Sequence, residues 1–186
     1  MYVISFDLSS STVGYTIYEK DTKKLVKISY FKYSKDVTDL LDKGKELEEF
    51  ITLLTNEYQV DQLIIEERLK KFAGGQSSIN NILVLAQLNY ICQYMLKFKF
   101  NIKLKEINVL KARGLVFPEI FRVTRATKEK QKDYVFSKVK AILKDVEWPS
   151  KIISKGKNKG NTEYLEECKD MSDAWVIMQA HFLQEK

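Results

Sequence analysis

Four carboxylates stand where apolar segments of this sequence end or begin: Asp7, Glu66, Asp170 and Asp173. Asp7 closes the run YVISFD and Glu66 closes DQLIIE, while the other two open the stretch DMSDAWVIMQAHF. Ionised carboxylates are costly to bury, so these positions are poor choices for packing alone. Brought together, they offer the hard oxygen ligands that Mg²⁺ prefers. In a basic chain, this pattern indicates a metal-dependent enzyme that acts on a polyanion.

Each carboxylate also has a purely structural explanation. The spacing of Asp170 and Asp173 resembles a helix capping box, and acids stabilise the positive end of a helix dipole. Asp7 could accept hydrogen bonds from the amides of residues 9–12 in a turn. Glu66 precedes Glu67, and alternation along a strand points the two to opposite faces, so only one should line a site. The coincidence of two strand-end acids with a helix-start DxxD favours the metal site.

The elements that must position these residues follow from hydrophobic periodicity. Strands are predicted at 2–7, 13–19, 25–33, 60–66 and 101–106, helices at 38–57, 77–97, 108–114, 127–144 and 170–184, and a loop at 149–162. Short links between the first three strands favour an antiparallel meander. The fourth strand should return parallel to an earlier strand, and if it returns beside the first, Asp7 and Glu66 would lie at the same edge of the sheet. The fold class is therefore α/β, with a mixed five-stranded sheet flanked by helices.

Composition is consistent with one globular domain spanning residues 1–186, since 45% of the residues are hydrophobic and Gly and Pro are scarce. Cys92 and Cys168 lack metal-binding spacing, which favours buried free thiols and a reducing compartment. Neither a signal peptide nor a membrane-spanning run is recognisable. We therefore expect a cytoplasmic protein that does not use a membrane.

The formal charge of +6 is unevenly distributed. Segment 122–132 is rich in Lys and Arg, and segment 150–161 contains four Lys and no acid. Such runs are often solvated faces, but phosphate contacts come mainly from these residue types. We predict DNA contacts from Lys70, Lys71, Arg113, Arg122, Arg125, Lys130, Lys155, Lys157 and Lys159.

Three segments, ISFDLSSSTVGYT, LIIEER and DMSDAWVIMQAHF, resemble in this order the acidic motifs of the RuvC-type Holliday junction resolvases. The resemblance spans residues 2–184 and is strongest to the compact bacteriophage members. It implies a single nuclease domain with a ribonuclease H-like fold, in the ribonuclease H/retroviral-integrase superfamily. It further implies a homodimer, with helix 77–97 at its interface, that nicks four-way DNA junctions symmetrically. The expected location is the cytoplasm of a bacterium or a phage-infected host.

By motif match, Asp7, Glu66, Asp170 and Asp173 would be the catalytic residues and the ligands of two Mg²⁺ ions, with Mn²⁺ as an alternative. Asp7 would bridge the two ions at the centre of the cluster. Glu66 is preferred to Glu67 because the family glutamate directly follows the apolar strand.

Two lysines of this sequence also match positions that are functional in the family. Lys111 and Lys128 would neutralise charge on the phosphate during hydrolysis, although solvated lysines are the alternative. The basic segment 150–162 looks longer than expected, and we hypothesise that it contacts the arms of the junction.

Two features depart from the family pattern. The first motif commonly reads DPG, whereas Leu8 and Ser9 follow Asp7 here. The family often has a base-contacting aromatic residue after the glutamate strand, where this chain has Leu69, and the nearest aromatic is Phe72. Base stacking and sequence preference therefore do not carry over from the resemblance.

Three rival functions share part of this pattern. Sugar kinases and other actin-like ATPases begin with a similar strand and Asp motif, but they need two domains and a longer chain. A junction-binding protein without catalysis is the second rival. The third is another ribonuclease H-like nuclease, acting on forks, flaps or RNA–DNA hybrids, which only substrate competition would separate from a resolvase.

Overall fold

The structure is a computed structural model that describes residues 1–67, 79–156 and 158–185, with only the backbone described for residues 79–82. The strands are β1 (Tyr2–Leu8), β2 (Thr12–Glu19), β3 (Leu25–Lys32), β4 (Val60–Glu66), β5 (Lys103–Ile107), β6 (Ser150–Ile152) and β7 (Thr162–Tyr164). The helices are α1 (Leu40–Glu57), α2 (Ile79–Tyr94), α3 (Val109–Val116), α4 (Ile120–Thr127), α5 (Gln131–Ile142) and α6 (Glu167–Gln184), and a π-helical turn, Met95–Lys99, extends α2.

The main sheet has five strands in the order β3-β2-β1-β4-β5. Strands β1, β2 and β3 pair antiparallel, whereas β4 pairs parallel to both β1 and β5. The predicted α/β class and mixed sheet are therefore confirmed. Because Phe6 pairs with Ile65 in the β1–β4 ladder, Asp7, one residue before the end of β1, and Glu66, the last residue of β4, lie at the same edge of the sheet.

Strand alternation divides the apolar side chains of the sheet between two cores. Ile4 and Phe6 belong to the core beneath α1 and α2, and Val3 belongs to the core beneath α3, α5 and α6. Ser5 and Asp7 share the face of Val3, so they point towards the helices of this second core. The two-residue alternation that separates the two cores therefore also places Asp7 under α6.

Several predicted elements need correction. The helix predicted at 127–144 is shortened to α5, because Lys128 adopts a left-handed conformation (φ 58°) that separates α5 from α4, a helix that was not predicted. The predicted loop 149–162 contains the hairpin strands β6 and β7. Helix α6 begins at Glu167, before the predicted start at Asp170. No helix among the described residues is both long and apolar enough to cross a membrane.

Candidate active site

Asp7 lies inside β1 rather than in the turn that follows it. It is 4% exposed, and its Oδ2 has no hydrogen-bond partner among the described residues. The turn is closed by Ser9, whose N–H and Oγ donate to the carbonyl of Thr12 at 2.8 and 2.9 Å, and whose Oγ accepts from the N–H of Thr12 at 3.0 Å. The alternative in which Asp7 stabilises this turn is therefore wrong, and one of its oxygens is available to a cation.

Helix α6 packs directly on β1 and β2 because small residues of the sheet lie beneath it. Ser5 Oγ donates a hydrogen bond to the carbonyl of Ala174 at 2.7 Å. A Cβ atom added to Gly14 would lie 2.2 Å from the carbonyl carbon and oxygen of Asp170, so only glycine permits this approach. Since Gly14 pairs with Asp7 across the ladder, the first turns of α6 lie over that carboxylate.

Asp170 and Asp173 are both buried on the face of α6 that meets the sheet, and Asp173 is almost completely inaccessible to solvent. The N-cap of α6 is Glu166, which makes no side-chain capping hydrogen bond. The capping-box alternative for Asp170 and Asp173 is therefore wrong, because both residues lie inside the helix. Their spacing by three places both carboxylates on one side of it.

Glu66 brings the fourth carboxylate to this cluster from the end of β4. It shares a sheet face with Ile64, which belongs to the core under α6, and its charge adds to the rise in the pKa of Asp7. Its carbonyl accepts a hydrogen bond from Asn89 Nδ2 on α2 at 2.9 Å. Glu67 follows on the opposite alternation, and its backbone N–H donates to the carbonyl of Ile107. The choice of Glu66 for the cluster agrees with this geometry.

Two cations of the protein lie among the four carboxylates. Lys132 Nζ, at the start of α5, is 2.9 Å from Asp170 Oδ1, 3.6 Å from Asp173 Oδ2 and 3.9 Å from Asp7 Oδ2. Arg113 of α3 binds Asp173 with two hydrogen bonds, Nε to Oδ1 at 2.9 Å and Nη2 to Oδ2 at 2.6 Å. The two differ in exposure, since Arg113 is 6% exposed whereas 46% of the Lys132 side chain is exposed.

Burial and crowding of charge perturb the carboxylates. Burial raises the pKa of Asp7 well above its ordinary range; Lys132 opposes the rise, and the other three carboxylates add to it. Burial also raises the pKa of Glu66; the charge of Asp173 adds to the rise, whereas Lys132 and Arg113 oppose it. For Lys132, burial lowers the pKa, but the surrounding carboxylates raise it more, so this lysine stays charged. Asp7 and Glu66 thus bind protons more readily than they would in water, and an added cation would compete with these protons.

The donor chemistry of the cluster fits Mg²⁺, because every donor is a carboxylate oxygen and Asp7 offers a buried oxygen without a hydrogen bond. Across the described residues, however, no three His, Cys, Asp or Glu side chains are already arranged to hold a metal ion. Lys132 lies between Asp7, Asp170 and Asp173 and would have to move for a metal to contact them together.

A groove of about 470 Å³ adjoins the cluster. Its lining includes Arg113, Lys130, Lys132 and Lys169, together with Asp133 and Glu166. The cationic side chains that border the carboxylates make this groove a suitable path for a phosphodiester backbone.

The two lysines predicted from the family motif lie outside the cluster. Lys111 is exposed on α3, where its backbone N–H donates to the capping Oδ1 of Asn108 at 3.0 Å, and Lys128 is exposed at the end of α4. Neither has a described ion pair with the four carboxylates. Lys132 and Arg113 are the cations that reach them instead.

The residues predicted to contact DNA fall into three groups. Five are exposed: Arg122, Arg125, Lys130, Lys155 and Lys159. Arg113 is buried against Asp173, so its guanidinium belongs to the acidic cluster and is not a free phosphate contact. Lys70, Lys71 and Lys157 lie outside the described residues, as do Leu69 and Phe72.

No protein-family model matches the sequence, and no curated protein matches it significantly. The structure is nevertheless similar to that of Thermus thermophilus RuvC in complex with a Holliday junction substrate. The TM-score is 0.58 at 9% identity, over 99% of this chain and 96% of RuvC. A second structure of Thermus thermophilus RuvC gives a TM-score of 0.54 at 10% identity, over 100% of this chain and 97% of that one. The resemblance predicted from the three acidic motifs is thus confirmed at the level of the fold: this chain has the ribonuclease H-like α/β fold of RuvC.

Proposed function

We propose that this chain is a metal-dependent endonuclease that resolves four-way DNA junctions by paired, symmetric nicks. The observation that carries the proposal is the convergence of Asp7, Glu66, Asp170 and Asp173 from β1, β4 and α6 at one edge of the sheet. The similarity to a RuvC structure that contains a Holliday junction supports the choice of substrate. The basic charge of the chain supports a polyanionic substrate.

The four carboxylates would hold Mg²⁺, or Mn²⁺ in its place, with Asp7 at the centre. When bound, such ions lower the pKa of a coordinated water and offset charge that develops on the phosphate. Asp173 can take part although Arg113 engages both its oxygens, because each carboxylate oxygen has a further lone pair. Arg113 fixes the orientation of Asp173 throughout.

Lys132 is better placed than Lys111 or Lys128 to contact the scissile phosphate. Its Nζ already lies among the carboxylates, and its side chain is exposed enough to swing towards the groove. A metal that enters the cluster would displace the Lys132 ammonium from its carboxylates. A phosphate held beside the cluster would then be its new negative partner. Lys132 would then neutralise charge on the phosphate as the bond breaks.

A homodimer would present two such clusters to opposite strands of one junction. Helix α2 and the π-helical turn after it expose Leu83, Tyr94 and Phe98, which supports this region as the interface. Recognition would then depend on backbone contacts spaced by the dimer, since a junction is a shape and not a sequence. A monomeric sedimentation coefficient at micromolar concentration would contradict this part of the proposal.

The direct test incubates the protein with a labelled synthetic four-way junction and Mg²⁺, beside a linear duplex and the Asp7→Asn variant. We expect paired nicks in the junction, little cutting of the duplex, and binding without nicking by the variant. Binding without nicking by the wild type would favour a non-catalytic junction-binding protein. Equal cutting of forks, flaps or hybrids would favour another ribonuclease H-like nuclease.

A further inference from the structure

The hairpin formed by β6 and β7 directly precedes α6, the helix of the candidate active site. Strand β7 ends at Tyr164, and α6, which carries Asp170 and Asp173, begins at Glu167. The hairpin therefore emerges from the same end of α6 as the carboxylates.

The base of the hairpin is firmly attached to α5. The ring of Tyr164 packs edge-on against Phe136 at 5.3 Å between centroids, and Lys140 Nζ lies 3.9 Å from the centroid of the same ring. The N–H of Leu165 donates to the carbonyl of Pro149 at 3.0 Å, closing the ends of the hairpin. These contacts attach the base of the hairpin to α5, the helix that carries Lys132 at its other end.

The distal part of the hairpin is compact and exposed. Ile153 N–H donates to Asn161 O at 3.0 Å, and Gly160 N–H donates to Ile153 O at 2.9 Å. Gly156 and Gly160 have φ values of 82° and 90°, which glycine adopts without strain. The turn is thus built by its own hydrogen bonds, while both strands expose their side chains.

The charge of this projection is unbalanced. Lys155 and Lys159 are exposed, and neither forms an ion pair within the described part of the chain, whereas Lys151 pairs with Glu163 at 3.2 Å. Segment 150–161 contains no acid. Solvated lysines on an anchored arm can release counterions when they meet phosphates, which makes the arm suited to a nucleic-acid backbone.

We propose that the β6–β7 hairpin is a second DNA-contacting element, which holds the backbone of a duplex arm beside the scissile phosphate through Lys155 and Lys159. This inference rests on the proposed nuclease function and names a surface that its catalytic cluster does not include. The contact would be independent of sequence, because it is made to phosphates. It would add affinity and position the arm without taking part in the chemistry.

The test compares two double variants of equal charge. One carries Lys155→Gln and Lys159→Gln, and the matched control carries Lys24→Gln and Lys27→Gln, two exposed lysines at the opposite end of the sheet. Binding to the four-way junction is measured by fluorescence anisotropy in chelator at 50 to 200 mM salt, and nicking is measured at saturating protein with Mg²⁺.

We expect the hairpin variant to bind on the order of tenfold more weakly per lysine at about 0.1 M salt, and its log–log salt slope to fall by about 2, since each phosphate contact contributes about 0.9. Nicking at saturation should match the wild type. Equal affinity and salt slope in the two double variants would overturn the proposal, as would slow nicking with unchanged binding. Failure of the wild type to bind junctions would instead refute the nuclease function itself.

Discussion

Replacing Arg113 with Met tests whether the acidic cluster is held by a buried ion pair. The guanidinium donates two hydrogen bonds to Asp173, and the two side chains are 8% and 1% exposed. Methionine keeps much of the buried volume but removes the charge, so Asp173 would remain buried without its main partner. Removing one member of a buried pair typically costs about 3–5 kcal/mol, because the remaining charge is uncompensated.

The lower end of this range is expected here. Lys132 Nζ lies 3.6 Å from Asp173 Oδ2 and would partly replace the lost charge. We therefore expect Arg113→Met to lower the free energy of unfolding by about 3 kcal/mol, measured by urea denaturation in chelator at neutral pH. The melting temperature of a chain of this length should fall by about 6 °C or more.

Two controls make the result specific to the ion pair. Arg122→Met removes an exposed arginine from the neighbouring α4 and should change stability by less than about 0.5 kcal/mol. Adding Asp173→Asn to Arg113→Met should recover stability, because no buried charge is then left unpaired. An effect of Arg113→Met below about 1 kcal/mol, or a double variant less stable than Arg113→Met alone, would refute the reasoning.

Three further predictions concern the same cluster. Gly14→Ala should destabilise the protein by about 1–3 kcal/mol in urea denaturation and slow junction nicking, because its methyl group must displace the backbone of Asp170; wild-type behaviour would contradict the close packing. Lys132→Met should strengthen Mg²⁺ binding in calorimetry at least about fivefold, because one unit repulsion at about 4 Å is worth ~1 kcal/mol even in water; an unchanged dissociation constant would contradict displacement by the metal. Burial raises the pKa values of Asp7 and Glu66, so the folded state binds protons at these carboxyls more tightly than the unfolded state does. In chelator, the stability that this proton binding contributes is present below about pH 4. It is lost as the pH rises through the raised pKa values of the folded state. Asp7→Asn should flatten this fall relative to the wild type, and a wild-type curve that rises more steeply than that of the variant would show the opposite sign.

The strand-borne half of the cluster could be predicted from the sequence. Apolar runs that end in acid predict the ends of β1 and β4 to within one residue, and the right-handed crossover predicts a parallel return, which the structure places beside β1. Asp7 and Glu66 follow from those two rules once β4 is known to pair with β1. Asp170 and Asp173 follow less directly, because the helix start was predicted too late and left a capping alternative that only the position of Glu166 as N-cap removes.

The cationic half could not be predicted in this way. Arg113 and Lys132 reach the carboxylates from α3 and α5, whose positions depend on packing against α6 and leave no periodic signal in the sequence. The break at Lys128 was also hidden, because a left-handed lysine has no sequence signature of the kind that glycine provides. Lys132 lies in the first turn of α5, which begins at Gln131. A correct prediction of where α5 begins would therefore have identified Lys132 as a candidate.

Arg113 and Lys132 differ in exposure, and this difference indicates which of the two a metal ion would displace when metal and substrate bind. Arg113 is buried and doubly hydrogen bonded, so it stays with Asp173 in either state. Lys132 is nearly half exposed and is held by charge alone at two of its three carboxylates, so it is the cation that a metal displaces. The released ammonium then favours a phosphate in the adjoining groove. Metal and DNA should therefore bind cooperatively, and because such coupling is reciprocal, a phosphate that draws Lys132 away would equally strengthen the binding of the metal.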